Sequence, residues 1–245
     1  MEAMLEAVEL SKRYEDGVLA VDRLSFAIHP GQVFAMLGGN GAGKTTTIHL
    51  FLNLIEPTQG EARVGGIVTH KDPLQAKARM AFVSENVMLY PGFTALQNLD
   101  YFTCLGGRKD LTRDDYRQVL LRVGLAEDAH GKRLRGFSKG MRQKCGIAIA
   151  ILKDAPAILL DEPTAGLDPQ AGREFMHLLG SLREEGKAIL MSTHDIFRAK
   201  EIADVVGIMN KGRLVLQKSR SELEGEDLEK LYVDFMGGLN DQAAA

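Results

Sequence analysis

Gly38-Gly39-Asn40-Gly41-Ala42-Gly43-Lys44-Thr45 fits the pattern G-x-x-x-x-G-K-[ST] in full. The spacing has a chemical reason. Glycines let the backbone curl so that successive N–H groups point inward at phosphate oxygens. Lys44 then reaches the β- and γ-phosphates of a nucleotide, and Thr45 offers its hydroxyl to Mg²⁺. The flanks agree. Gln32-Val33-Phe34-Ala35-Met36-Leu37 reads as a buried strand. Thr46-Thr47-Ile48-His49-Leu50-Phe51-Leu52 reads as a helix whose N-terminus stands behind the phosphates.

The chain has 245 residues, enough for one sizeable core or a core with a subdomain. A formal net charge of −3 excludes a global attraction to nucleic acid or anionic lipid. No uncharged apolar run approaches the roughly 18 residues of a spanning helix. Gly146-Ile147-Ala148-Ile149-Ala150-Ile151-Leu152 is among the longest. Met1-Glu2-Ala3-Met4-Leu5-Glu6 lacks the basic-then-apolar order of a signal peptide. Cys104 and Cys145 have no metal-ligand spacing and are expected to be buried free thiols. Together these features point to the cytosol.

Outward from the loop, Leu5 to Leu10 and Leu24 to Ile28 alternate as strands. Glu61 to Val64, Gly65-Gly66 and Ile67-Val68 form a hairpin pattern. Ala81-Phe82-Val83 is a short buried strand, with Ser84-Glu85-Asn86 at its C-terminal end, where ligands bind in parallel α/β sheets. From Tyr90 to about Leu152 helical periodicity takes over, with helices capped by Thr94, running from Asp114 to Val123, and running from Lys139 to Leu152. The pattern predicts an α/β core from 1–85 and 154–218, a mostly helical insertion at 86–153 and a C-terminal extension at 219–245. Ala157-Ile158-Leu159-Leu160-Asp161-Glu162-Pro163 must end as a strand at the proline, so both carboxylates stand at its tip. Asp168-Pro169 opens a helix that stops at Gly186. Ala188 to Ser192 is the next buried strand, tipped by Thr193-His194-Asp195, and a helix follows to about Ala203. Val205 to Met209 and Arg213 to Gln217 pair around Asn210-Lys211-Gly212. Asn240 to Ala245 reads as a frayed end.

The acids at the strand tip narrow the chemistry. Asp161 is placed to hold the water shell of Mg²⁺, and Glu162 to polarise a water attacking the γ-phosphate. His194, also at a strand tip, is placed to contact that phosphate. His29, His49, His70, His130 and His177 have no such placement.

With these residues in view, the chain resembles the nucleotide-binding subunit of an ATP-binding cassette (ABC) transporter over residues 5–220. Gly38 to Thr45 is similar to the family's Walker A loop, and Ile158 to Asp161, followed by Glu162, to Walker B. Phe137-Ser138-Lys139-Gly140-Met141-Arg142-Gln143 looks like the defining signature. Ala165-Gly166-Leu167-Asp168 looks like the D-loop and His194 like the switch histidine. Tyr14 sits where the family stacks an aromatic on adenine. The resemblance implies a P-loop NTPase core of α/β class, with an antiparallel β subdomain and an inserted helical subdomain. It implies ATP and Mg²⁺ as cofactors. Gly38, Gly39, Asn40, Gly41, Ala42, Gly43, Lys44, Thr45 and Thr46 would hold the nucleotide. Thr45, Asp161 and Glu85 would serve the metal, and Lys44, Glu162 and His194 catalysis. Two such subunits, identical or different, close head to tail, so that Ser138, Lys139, Gly140 and Met141 of one cap the γ-phosphate held by the other. Closure drives an integral-membrane permease from the cytoplasmic side.

Three positions depart from the family pattern. Gly39 stands where proline is usual, Lys139 replaces the first glycine after the signature serine, and Glu85 replaces the Q-loop glutamine. Glu85 with a Ser-Lys-Gly-Met-Arg signature is similar to the branch that pairs with ABC-2-type permeases, often exporters. Tyr90, Pro91 and Phe93 are either permease contacts or packing between lobes. The rival reading is a soluble ABC-type ATPase working on a ribosome or nucleic acid. A single cassette, an insertion of ordinary length and no strongly basic stretch speak against it.

Overall fold

In the computed structural model, residues 2–237 are described. The frayed end expected at Asn240–Ala245 lies outside them. The chain opens with two strands, Leu5–Arg13 (β1) and Leu19–Ile28 (β2), then Val33–Leu37 (β3), the glycine-rich loop and helix Lys44–Phe51 (α1). Gln59–Val64 (β4), Ile67–Val68 (β5), Pro73–Ala78 (α2) and Met80–Val83 (β6) follow. Next come three helices, Ala95–Leu105 (α3), Arg113–Arg122 (α4) and Lys139–Lys153 (α5). The chain then alternates through Ala157–Asp161 (β7), Pro169–Glu184 (α6), Ala188–Thr193 (β8), Ile196–Ile202 (α7) and Val205–Asn210 (β9). It closes with Arg213–Ser219 (β10), Arg220–Leu223 (α8) and Leu228–Gly237 (α9).

The strands form two sheets. The first is antiparallel, in the order β2-β1-β4-β5. The second runs β10-β9-β3-β8-β7-β6, parallel except for the edge strand β10. Its central strands are buried throughout, as parallel strands covered on both faces must be. The two-residue pleat divides them between two cores. Val33, Ala35 and Leu37 of β3, with Ile158 and Leu160 of β7, join the core lined by the helices α3 to α6. Phe34 and Met36, with Ala157 and Leu159, face α1 and the antiparallel sheet. Helix α1 is thus wedged between the sheets by Ile48, Leu50 and Phe51. That fixes the loop in front of it.

The structure modifies several expectations. Strand β1 runs on to Arg13 and β2 begins at Leu19, because the two pair across their turn as far as Arg13 and Leu19. Helix α2 is unanticipated. Asp72 caps it by accepting from the Gln75 N–H, and Pro73 starts it, but Ala76 alone is buried, too little to leave a periodic signal. Thr94 and Thr112 open α3 and α4 with full capping boxes, and Ser138 caps α5. Cys145 is buried as expected, but Cys104 is exposed, because α3 turns it away from the core that holds Leu99 and Thr103. Among the described residues no helix is long and apolar enough to cross a membrane.

Burial pushes the Cys145 thiol up to about 12. It is therefore expected to resist alkylation at pH 8, while Cys104 reacts with a maleimide in the folded protein. Mass spectrometry should find one label under native conditions and two in denaturant. Two native labels would contradict the placement.

Candidate functional site

The C-terminal tips of β3, β7 and β8 converge, because the three strands are adjacent and parallel. The glycine-rich loop leaves β3 and turns into α1 through Gly43, at φ 104°. A Cβ there would lie 2.4 Å from the Ala20 carbonyl oxygen, so the loop rests on β2 with no room for a side chain. Lys44, the first residue of α1, is only 6% exposed. Its Nζ donates to the Gly38 and Gly39 carbonyls at 2.6 and 3.3 Å and pairs with Glu162 Oε1 at 3.2 Å.

The acids come from the next strands. Asp161 lies opposite Ser192 in the sheet. Its Oδ1 accepts from Ser192 Oγ at 2.6 Å and from Thr45 Oγ1 at 3.2 Å. Glu162 turns off the strand at φ 45°, a left-handed conformation unusual for a residue with a side chain. Such strain persists only where the surroundings hold it, at a cost of about 1–3 kcal/mol. Here the Glu162 N–H donates to Ser192 Oγ at 3.0 Å and to the Ser192 carbonyl at 3.2 Å. The turn aims the carboxylate back into the site. One oxygen meets Lys44, and the other accepts from the His194 N–H at 3.3 Å and lies 2.9 Å from His194 Nδ1.

A cavity of about 520 Å³ opens over the loop. Gly39 to Thr46, Glu85, Asp161 and Glu162 line it. That volume suits a ligand of drug or cofactor size. The site residues missed in the sequence are Val18 from the β1–β2 turn, Leu19 and Ala20 from the start of β2 and Lys211 from the β9–β10 turn, which complete the wall, and Ser192 beneath the acids. Only sheet neighbours bring them there. Tyr14 stands beside the loop, its hydroxyl 3.5 Å from Thr46 Oγ1 and its ring under Lys12 Nζ.

The donors fit a Mg-nucleotide. A buried ammonium facing a glycine cradle suits phosphate, and Thr45 with Asp161 supplies a hydroxyl and a carboxylate side by side. Among the described residues no three His, Cys, Asp or Glu side chains gather to hold a metal alone. Mg²⁺ typically takes one or two carboxylates and completes its shell with water and phosphate oxygens, which this pair permits. Glu85, expected beside the metal, lines the same cavity, but its carboxylate pairs with Lys139 Nζ at 3.2 Å.

The second group of predicted residues lies elsewhere. Ser138, Lys139, Gly140 and Met141 do not line the Lys44 cavity. They form the N-terminus of α5, where Ser138 Oγ accepts from the Met141 N–H at 3.2 Å. A Cβ on Gly140 would meet nothing closer than Leu167 at 3.5 Å. Within this chain nothing requires glycine there. Asp168 caps α6 by accepting from the Gln170 and Ala171 N–H groups at 3.0 and 2.9 Å. The Ala171 N–H in particular holds its carboxyl below the usual carboxylate range.

This α/β core, with its phosphate loop and paired acids, is that of a P-loop NTPase. A model of the ABC transporter family matches residues 21–165, and the chain belongs to that family, as an ATP-binding subunit of its ATPase class. It is 36% identical to the ABC transporter ATP-binding protein NatA of Bacillus subtilis, over 96% of this chain and 98% of that one. It is 33% identical to the Nod factor export ATP-binding protein I of Cupriavidus metallidurans, over 98% of this chain and 80% of that one. Among solved structures, a dimeric post-hydrolysis state of the ATP-binding cassette MJ0796 with ADP and Pi superposes with a TM-score of 0.81. It is 26% identical and covers 89% of this chain and 99% of that one.

Replacing Ser192 by alanine removes a hydroxyl that serves both acids. The variant is expected to lose about 1–3 kcal/mol of stability, as for other buried groups deprived of a partner. Denaturant titration and steady-state ATP hydrolysis should both register it. Unchanged stability and turnover would show that the hydroxyl is not what holds Asp161 and Glu162.

Proposed function

We propose that this chain is the ATP-hydrolysing subunit of an exporter, driving a separate membrane permease by ATP-dependent closure of a dimer. One observation carries the catalytic part. The Glu162 carboxylate bridges Lys44 and His194 at a strand tip, beside the Asp161–Thr45 pair. Lys44 and the loop N–H groups would hold the β- and γ-phosphates, and Thr45 with Asp161 would hold Mg²⁺. Mg²⁺ supplies charge neutralisation at those phosphates. Glu162 is the base that takes a proton from the attacking water, and His194 keeps the carboxylate oriented. Ser138 and Gly140 do not line this cavity, and nothing within the chain requires glycine at position 140. Both facts support their use on a nucleotide held by a second subunit, homologous or identical. The dimeric cassette with ADP and Pi supports the same reading.

Export rests on likeness to the Nod factor export protein and on the Glu85 and Lys139 departures typical of the ABC-2 branch. A permease contact is supported at the mouth of the helical insertion, which we take as 86–153. Tyr90, Phe93 and Tyr101 are 45%, 38% and 40% exposed. Their rings pack on one another, with Tyr90 5.1 Å from both Phe93 and Tyr101 between centroids. Their exposure and mutual packing support docking over packing between lobes. A permease at this face would place the protein peripherally on the cytoplasmic side of the membrane.

Glu162→Gln is expected to bind Mg-ATP and accumulate as a dimer, with hydrolysis lowered about 10²–10⁴-fold, the usual worth of a positioned base. Lys44→Ala should instead weaken nucleotide binding in a titration. Wild-type turnover in Glu162→Gln would reassign the base. Tyr90→Ala with Phe93→Ala should leave ATP binding intact and lower the share of protein recovered with co-expressed permease in membranes. Equal recovery would move the docking site elsewhere.

A further inference from the structure

Glu85 and Lys139 meet across a boundary that separates two functions. Glu85 lines the cavity over this chain's own phosphate loop. Lys139 is the first residue of α5 and does not line that cavity. Their side chains join at 3.2 Å and are 45% and 30% exposed. An ammonium at the positive end of a helix dipole is poorly placed by itself, and Glu85 is its ion-pair partner here. The rest of the same α5 face holds the same segment. One turn on, Gln143 Nε2 donates to the Ser84 carbonyl at 3.3 Å. Two turns on, Gly146 lets Val87 so close that a Cβ there would lie 2.9 Å from Val87 Cγ2. Residues 84–87 therefore ride on α5, and the ion pair is the polar end of that contact.

We propose that the Glu85–Lys139 ion pair is a charge switch between the two nucleotide sites of a dimer. When Mg-nucleotide engages Glu85 in one site, Lys139 is released and becomes an extra cation for the phosphates held by the partner subunit. The inference rests on the dimer reading above and adds a rule of order to it: a site's own loading arms the signature it lends across. The magnitudes suit a switch. A half-exposed ion pair is a weak contact, easily exchanged. A divalent cation beside Glu85 and a triphosphate beyond Lys139 each offer more charge than either side chain offers the other. With Lys139 paired, the helix N-terminus presents a neutralised face. With it free, the backbone N–H groups and the ammonium act on the same anion.

The test uses the full chain carrying Glu162→Gln, so that ATP persists, and reads dimer dissociation constants by analytical ultracentrifugation. Two conditions are compared, Mg-ATP and ATP with EDTA. Lys139→Met should weaken the Mg-ATP dimer about tenfold, roughly the loss of one charge-assisted contact, and Lys139→Arg should keep it. Glu85→Gln frees Lys139 beforehand, so it should strengthen the dimer in ATP with EDTA, where no metal engages Glu85. That gain should vanish when Lys139→Met is added. If Glu85→Gln has the same effect whether residue 139 is lysine or methionine, the switch is overturned while the dimer reading stands. If the Glu162→Gln parent forms no dimer even with Mg-ATP, the dimer reading falls and takes the switch with it.

Discussion

A buried ammonium with few anionic partners organises this molecule. Lys44 is almost wholly removed from water, and desolvating a charge is costly unless it is paired and hydrogen-bonded. Two loop carbonyls and the Glu162 carboxylate supply what it needs. Holding those groups in place demands the glycine turn on β2, the wedge of α1 between two sheets and the strained step from β7. An anion entering the cavity must share Lys44 with Glu162, so anion binding there and the placement of this carboxylate are one electrostatic problem.

The double burial of the parallel sheet determines where polar chemistry can occur. Its strands are apolar on both faces, so ionisable groups are confined to the ends. Asp161 is the last residue of its strand, and Ser192 and Thr193 close theirs. Ser192, wholly buried, binds the side chain of one acid and the main chain of the next. A single hydroxyl on β8 thus holds both the last residue of β7 and the acid that follows it.

The helical insertion is arranged differently. Its apolar residues join the helix-side core, while its aromatic cluster and Cys104 remain exposed. Its contact with segment 84–87, which carries the cavity-lining Glu85, runs along one face of α5, from Lys139 through Gln143 to Gly146. Glu85 and Lys139 both lie in that contact, so two of the three departures from the family pattern are a single structural feature.

Sequence alone determined the strand-loop-helix unit, the acids at a strand tip and the caps at Thr94 and Asp168. These depend on local chemistry: glycine spacing, a proline that ends a strand, a side chain that accepts from its own helix. It missed α2, whose single buried residue leaves no period to read, and it placed Cys104 inside, since helical context does not say which face turns inward. Only the tertiary structure decided that Val18, Leu19, Ala20 and Lys211 wall the cavity, that Ser192 holds both acids, and that Glu85 lies on Lys139. Those are contacts between segments far apart in the chain. Their distances are set by sheet order and helix packing, and no local spacing encodes them.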